Sequence, residues 1–459
     1  MTLVWFRLRR SFLCGNALGL NTLRRLYDYW HYANCGFRHH SPHRLLPSVT
    51  MQWLAPCRWW LVWCLVCIGN GVSCLAKPVL LSEAATISLI TCAPGTETYA
   101  LFGHSALRVA DPVQGLDQVY NYGTFNFQTA HFYWRFLRGD LRYFLSVVPF
   151  RNFQRAYEQE GRAVSEQVLA LEPREVQRAY SHLESTLHSP AKYYQYQFFA
   201  DNCSTRLFEV LNASVDTPLR LDSSQVSPAA TYRQLLVPYL RPAPWVKLGM
   251  NIGLGWPADR ATHFRQRLFL PLELQRALAK ATRKGRPFVA RQHQVVTASS
   301  RTASHAAFAP MGLLLGWMAW SLLMWRWTHC PTWLRRLHVQ VLFGATALLG
   351  CLLTALSLAS LHTPVQANYQ LLWLLPSHLV LVARPCSWWR TYIVISLALL
   401  IIGSLLTLVT GYVQLLPEVG ALLALLAGNL LWLRTWGKGS KQEGINGWKD
   451  SFSVVHNTG

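Results

Sequence analysis

The segment YYQYQFFADNCSTRLFEVL, residues 193–211, joins a run of aromatic side chains to an amphipathic run. YYQYQFF predicts a strand, because aromatic residues are enriched in half-buried strands. STRLFEVL predicts a helix, and the side chain of Asp201, Asn202 or Ser204 is suited to cap its first N–H groups. Cys203 therefore lies at a predicted helix N-terminus.

Three roles for Cys203 follow from the residues alone. At a helix N-terminus the unpaired N–H groups and the helix dipole lower the pKa of a thiol, which favours a nucleophile. The same N–H groups are able to bind an oxyanion. The alternatives are a buried, inert cysteine and a disulfide with Cys92, the other cysteine of the predicted soluble part.

A cysteine nucleophile requires a base, and His104 is the best placed histidine. It follows Phe-Gly and begins HSALRVA, whose alternation predicts a strand, and the next predicted strand, QVYNYGTF, carries Asn121. An amide is able to hold one imidazole tautomer. The hypothesis is a triad of Cys203 as nucleophile, His104 as general base and acid, and Asn121 as the orienting residue. Tyr122 is the alternative third member.

The composition indicates a protein with soluble and membrane-embedded parts, since 51% of its 459 residues are hydrophobic and only 14% are charged. The net charge is +22. Arginine is concentrated in residues 1–50 and in short loops between apolar blocks, as the positive-inside rule expects. Nucleic-acid binding is therefore not indicated. The eleven cysteines lack zinc-binding spacing, so we expect neither a metal site nor a cofactor.

The chain divides into six predicted segments. They are a dispensable N-terminal extension (1–50), a signal peptide or retained signal anchor (51–76), an exported domain (78–285), a polar linker (286–307), five transmembrane helices (308–434) and a cytoplasmic tail (435–459). The apolar blocks lie near 308–325, 338–361, 368–383, 391–412 and 415–433. Arginine alternates between their loops so that odd-numbered crossings end in the cytoplasm.

Four motifs, in this order, resemble the Lnb-type lipoprotein N-acyltransferases of Gram-negative bacteria: ISLITCAPGTETYALFGHSALRV, VYNYGTFNF, FYWRFLRGDLRYFLSV and YYQYQFFADNCSTR. Their core is also similar to circularly permuted papain-like enzymes of the lecithin:retinol acyltransferase kind, in which the histidine strand precedes the Asn-Cys helix start. The resemblance implies an α+β papain-like periplasmic domain. It also implies an all-α domain of five transmembrane helices in the bacterial inner membrane.

The resemblance further implies a reaction that uses membrane phospholipid and lipoproteins as partners. The Cys203 thiolate attacks a phospholipid ester with His104 as base, and a thioester forms. The α-amine of a diacylglyceryl-cysteine lipoprotein then takes the acyl chain. The alternatives are an NlpC-type cell-wall peptidase or amidase, which uses the same Cys–His core, and a non-catalytic envelope membrane protein.

Several further residues are candidates for binding substrate. Arg108 and Arg206 suit a lipid phosphate, and for Arg206 a salt bridge on the helix surface is the alternative. Glu97 suits the acceptor amine, or a turn. His378 lies in an apolar block, where an ionisable side chain marks a functional site or an interhelical hydrogen bond, and Asn429 has the same two interpretations.

The segment FYWRFLRGDLRYFLSV carries many aromatic residues together with Arg135, Arg138 and Arg142. Such a segment suits a membrane-facing surface that admits lipid. An aromatic core is the alternative.

Overall fold

A computed structural model describes residues 79–222, 230–299, 309–383, 388–409 and 417–453. Residues from Leu80 onward form one compact unit. The predicted extension (1–50) and the predicted signal segment (51–76) lie outside the described residues.

The N-terminal part contains an antiparallel seven-stranded sheet in the order β6-β4-β3-β2-β1-β5-β9. Its strands are β1 (Thr86–Cys92), β2 (His104–Asp111), β3 (Leu116–Thr124), β4 (Arg142–Pro149), β5 (Val164–Leu169), β6 (Tyr193–Gln195) and β9 (Val289–Val296). A separate hairpin pairs β7 (Thr282–Arg283) with β8 (Arg286–Pro287). The interior strand β1 is buried on both faces from Ile87 to Cys92, because helices cover the sheet on both sides.

The helices of this part are α1 (Phe132–Arg138), α2 (Phe150–Glu160), α3 (Pro173–Leu187), α4 (Cys203–Ser214), α5 (Tyr232–Leu240), α6 (Pro244–Gly253), α7 (Phe264–Arg267) and α8 (Pro271–Lys280). Helices α3, α4 and α8 cover one face of the sheet, and α2 covers the other. Leu107 and Val109 of β2 enter the larger core beneath α4, whereas Ala106 enters the smaller core beneath α2.

The predicted linker (286–307) differs from the structure. Its first residues form β8 and β9, and β9 pairs with β5 at the edge of the sheet. The side chains of residues 290–294 are exposed, because an edge strand buries little of its surface. The polar composition of β9 therefore resembles that of a linker. The sheet nevertheless extends beyond residue 285, the predicted end of the exported domain.

The C-terminal part consists of α9 (Pro310–Arg326), α10 (Thr332–Ala359), α11 (Leu379–Val382), α12 (Trp389–Val409) and α13 (Pro417–Ser453). Within the described residues, three segments are long and apolar enough to cross a membrane: Thr332–Ala359, Trp389–Leu406 and Pro417–Thr435. Helix α9 is apolar and, at 17 residues, at the short end of what a span requires.

The apolar block at 368–383 does not form the predicted helix. It folds into two 3₁₀ turns (Tyr369–Leu372 and Pro376–His378) and the one-turn helix α11. Pro376 has no N–H to continue a helix. Asn368 caps the first turn by accepting a hydrogen bond from the Gln370 N–H at 3.0 Å. These local interactions replace a continuous helix.

This irregular segment runs alongside α10 in the opposite direction. Gly350, in the second half of α10, packs so closely that its Cβ would overlap the Leu374 carbonyl. Gln340, nearer the start of α10, contacts a later residue of the segment, because its side chain donates to the Val382 carbonyl at 3.2 Å. Three polar side chains of the segment are buried: Asn368, Gln370 and His378. Irregular backbone among membrane helices is stable only where protein surrounds it, and these contacts provide that environment.

The loop after α10 contacts the N-terminal part at two places. At α1, the Leu361 N–H donates to the Arg138 carbonyl at 2.7 Å, and His362 Nε2 donates to the Phe136 carbonyl at 2.9 Å. At α6, Asn368 Nδ2 donates to the Ile252 carbonyl at 2.8 Å. The sheet domain is therefore attached to the membrane helices at both ends of the loop.

Candidate active site

Asn202 fixes the start of α4. Its Oδ1 accepts hydrogen bonds from the N–H groups of Ser204 (2.9 Å) and Thr205 (3.0 Å). Its Nδ2 donates to the carbonyls of Phe198 (2.9 Å) and Phe269 (2.8 Å). The sequence left three residues as possible caps, and only the fold reveals the connection from Asn202 to Phe269. This buried amide holds the residue that follows it, Cys203, in one position.

Cys203 is the first residue of α4 and is only 6% exposed. Burial alone would raise the pKa of its thiol. The hydrogen bond and positive charge of His104, the Ser105 N–H and the Ser204 hydroxyl together hold that pKa below its ordinary value. Ser105 Oγ and Ser204 Oγ are 3.1 Å apart, which joins the start of β2 to the start of α4. The thiol thus lies in an environment that favours the thiolate.

His104 begins β2 and lies between Cys203 and Asn121. Its Nε2 donates to Asn121 Oδ1 at 3.2 Å, since the amide oxygen is an acceptor. Asn121 Nδ2 donates in turn to the Val119 carbonyl at 3.1 Å, which fixes the orientation of the amide. The other imidazole nitrogen, Nδ1, is therefore left for the Cys203 thiol. The structure brings the three side chains of the predicted triad together, and their catalytic roles stay predictions.

Tyr122, the alternative third member, lies in the core beneath α4, whereas its neighbour in β3, Val119, points to the opposite face. Its ring packs edge-on against Tyr194, with centroids 6.0 Å apart, and the Arg206 guanidinium lies over it. Because the position next to the His104 ring is taken by Asn121, the geometry favours Asn121 as the orienting residue.

Cys92 lies in the core on the other side of the sheet, beneath α2. Burial raises the pKa of its thiol to about 12. Both Cys92 and Cys203 are free cysteines, so the alternative of a disulfide between them is wrong.

The two candidate phosphate-binding arginines are both paired with carboxylates. Arg108 contacts Asp117 (2.7 Å) and Glu166 (3.0 Å), and its guanidinium lies over the Phe150 ring on the α2 side. Arg206 donates two hydrogen bonds to Asp201, at 2.5 and 2.7 Å. The ion-pair alternative describes both side chains, but Arg206 lies one helical turn from Cys203.

Glu97 is exposed and its carbonyl accepts from the Ala100 N–H at 2.8 Å, as the turn interpretation expects. His378 lies among the membrane helices, away from Cys203. It donates to the Trp373 carbonyl and accepts from the Tyr392 hydroxyl, both at 3.1 Å. Asn429 similarly bonds His338 at 2.9 Å.

Among the residues that the structure describes, no group of three potential metal ligands occurs.

Helix α1 exposes much of its aromatic surface. Tyr133 is 79% and Trp134 is 60% exposed, whereas Phe132 packs against Phe125 with ring centroids 5.9 Å apart. Phe132 thus packs as the core interpretation expects, whereas the other two rings lie on the surface, and a membrane-facing role for that surface stays a prediction. Since α1 also contacts the loop after α10, its exposed rings lie beside a membrane helix end.

Comparison with protein-family models gives two matches. Residues 80–237 match the Lnb N-terminal periplasmic domain, and residues 302–436 match the Lnb transmembrane domain. The first match contains His104, Asn121 and Cys203, and the second contains the apolar helices. Comparison with curated proteins and with solved structures gave no match.

Proposed function

Because this chain belongs to the Lnb family and joins a periplasmic α/β domain to membrane helices, we propose that it is a lipoprotein N-acyltransferase of the bacterial inner membrane. The observation that carries the proposal is the hydrogen-bonded series Cys203, His104 and Asn121 at a helix N-terminus. A thiolate with a positioned imidazole is the arrangement that covalent acyl transfer requires.

In the first half-reaction, the Cys203 thiolate attacks an ester carbonyl of a phospholipid. The thiol proton resides on His104 Nδ1, and the Nε2–H bond to Asn121 keeps the ring in that orientation. When the tetrahedral intermediate collapses, His104 returns the proton to the departing glycerol oxygen. Lysophospholipid leaves, and the acyl chain remains as a thioester on Cys203.

In the second half-reaction, the neutral α-amine of a diacylglyceryl-cysteine lipoprotein attacks the thioester carbonyl. His104 accepts the proton that the amine nitrogen loses, and Cys203 leaves as a thiolate. The product is an amide, and the resting thiolate–imidazolium pair is restored. The low exposure of Cys203 supports transfer to the amine over hydrolysis, because a site that excludes water protects a reactive acyl intermediate.

The surface of α1 supports a lipid donor. Its exposed aromatic side chains and its two arginines, Arg135 and Arg138, are the residue types that favour the membrane interface. The bond from Leu361 to Arg138 connects this helix to the end of α10. We propose that α1 lies on the outer leaflet and that phospholipid passes it on the way to Cys203.

The arrangement of the membrane part supports a chain that crosses the membrane five times, with an irregular third crossing. Helices α9, α10, α12 and α13 supply four, and the segment from His362 to Ala383 follows α10 back toward its start. An odd number of crossings puts the sheet domain and the C-terminal tail on opposite sides of the membrane, and the arginine-rich loops favour a cytoplasmic tail and a periplasmic sheet domain. Within the sheet domain, a histidine strand that precedes a cysteine helix supports the permuted papain-like order.

The test is complementation of a strain depleted of its own lipoprotein N-acylation, with lipoprotein N-termini analysed by mass spectrometry. The wild-type chain should restore N-acylated termini, and Cys203→Ser should not. Cys92→Ala is the matched control, because it removes a buried thiol on the other side of the sheet. N-acylated termini produced by Cys203→Ser would refute the nucleophile. A change confined to cell-wall fragments would favour the NlpC-type peptidase or amidase.

A further inference from the structure

Tyr194, in the middle of β6, has a buried hydroxyl group that the resting structure does not use. The residue is 8% exposed. The Gly123 N–H faces its hydroxyl oxygen, but the O–H proton itself has no acceptor among the described residues. A buried hydroxyl without a partner is unfavourable for folding and uncommon in native proteins. Such a group points to a partner that arrives during the reaction.

The hydroxyl borders the same small space as Cys203. Gly123 separates them, and a Cβ built at Gly123 would lie 3.7 Å from the Cys203 Cβ and 4.0 Å from the Tyr194 hydroxyl oxygen. The φ of +87° at Gly123 is one that residues with a side chain rarely adopt. A side chain at position 123 would therefore contact both residues, and glycine leaves Cys203 and the Tyr194 hydroxyl without a side chain between them.

The helix N-terminus does not have enough free donors for an oxyanion. The N–H groups of Ser204 and Thr205 both donate to Asn202 Oδ1, so of the first three N–H groups of α4 only that of Cys203 is outside the cap. Stabilising a tetrahedral oxyanion requires donors placed in advance around it. A second donor must therefore come from outside α4.

The surroundings of Tyr194 suit a donor. Burial raises the pKa of its phenol, so the hydroxyl keeps its proton at neutral pH. The Arg206 guanidinium carbon lies 3.6 Å from the ring centroid, where Asp201 holds it. A cation over the ring withdraws electron density and strengthens the hydroxyl as a donor. The Asp201–Arg206 ion pair therefore acts on the donor strength of Tyr194, because it holds the guanidinium over the ring.

We propose that Tyr194 is a catalytic residue whose hydroxyl donates a hydrogen bond to the oxyanion of both tetrahedral intermediates formed at Cys203. The inference rests on the proposed function, because an oxyanion forms only if Cys203 is acylated. No bond to Tyr194 is made or broken, and its proton stays on the phenol.

The experiment compares two reactions of Cys203 in the purified full-length protein. Acylation by a short-chain p-nitrophenyl ester passes through an oxyanion, whereas alkylation by iodoacetamide does not. For Tyr194→Phe we expect acylation to fall about 10²- to 10³-fold, as for other oxyanion-hole donors, and alkylation to stay within about twofold. Tyr143→Phe is the control. It removes a hydroxyl from the same aromatic cluster, in which the Tyr143 ring stacks on Tyr196 at 4.5 Å.

Either of two results would overturn the proposal: unchanged acylation in Tyr194→Phe, or an equal loss of acylation and alkylation, which indicates a structural role. If Tyr194→Phe does not fold, fluorotyrosine incorporated at position 194 keeps the ring and strengthens the donor. An unchanged ratio of acylation to alkylation would then overturn the proposal. Wild-type protein that is not acylated at Cys203 would instead refute the proposed function itself.

Discussion

Replacing Asn121 by alanine tests whether this amide orients His104. The substitution removes the acceptor 3.2 Å from His104 Nε2 and leaves Cys203 and the ring itself in place. A neutral hydrogen bond contributes about 0.5–1.5 kcal/mol net. Each 1.4 kcal/mol changes a rate about tenfold. If that free energy holds the imidazole in its productive orientation, acylation of Cys203 should slow by about 2- to 12-fold.

Two further variants separate orientation from general damage to the core. Asn121→Asp restores an acceptor at the same atom and adds a negative charge beside the ring. We expect it to recover most of the rate, because the carboxylate accepts the same hydrogen bond from His104 Nε2. Tyr122→Phe should leave the rate within about twofold, because its ring packs against Tyr194 in the core beneath α4.

The assay is rapid-mixing measurement of p-nitrophenolate release, with the thioester verified by intact mass, over a range of pH. Equal rates for Asn121→Ala and wild type would refute the orienting role of Asn121. A larger loss in Tyr122→Phe than in Asn121→Ala would reassign the third position to Tyr122. Circular dichroism of each purified variant shows whether its fold is retained.

Three other predictions concern the thiol, the irregular crossing and the lipid-facing helix. The pKa of the Cys203 thiol is lowered from 9.0, so its alkylation should reach half-maximal rate at a lower pH than that of a free thiol. In His104→Ala that pH should be higher than in the wild type. A lower pH in the variant would contradict the assignment of His104 as the partner of the thiol. Gly350→Val should prevent assembly of the membrane part, because its Cβ would overlap a carbonyl, whereas Gly316→Val, with open space around it, should yield folded protein by size-exclusion chromatography. Trp134→Ser should raise the KM for vesicle phospholipid about 12- to 140-fold, from the roughly 1.5–3 kcal/mol of a buried large apolar side chain, without changing turnover of a soluble ester. An equal loss on both substrates would remove α1 from the lipid surface.

Much of the site could be predicted because its signals are local. Asn-Cys before an amphipathic run indicates a capped helix, and a histidine at the start of an alternating run indicates a strand end. What brings Cys203 and His104 together is the sheet order, since α4 packs across β2 and β3. The unpaired hydroxyl of Tyr194 could not be predicted, because its lack of a partner depends on every atom around it.

Two segments differ from their predicted secondary structure, and they show where periodicity and composition do not determine it. Residues 289–296 resemble a linker because an edge strand buries only a few side chains, yet their backbone completes the ladder of β5. The block at 368–383 is apolar enough for a helix. Its turns are instead stabilised by the Asn368 cap and by close packing on Gly350, which are tertiary contacts that a hydropathy pattern does not contain.

The two attachments of the 360–369 loop, to α1 and to α6, restrain the sheet domain against swinging about a single hinge. In the proposed reaction Cys203 then stays at one height above the bilayer, and the phospholipid donor and the lipoprotein acceptor reach it by lateral diffusion in the leaflet. The rate should therefore follow the surface concentration of lipoprotein, in molecules per lipid, rather than its bulk concentration. Adding inert lipid to vesicles would slow the enzyme even though no component of the solution had been diluted.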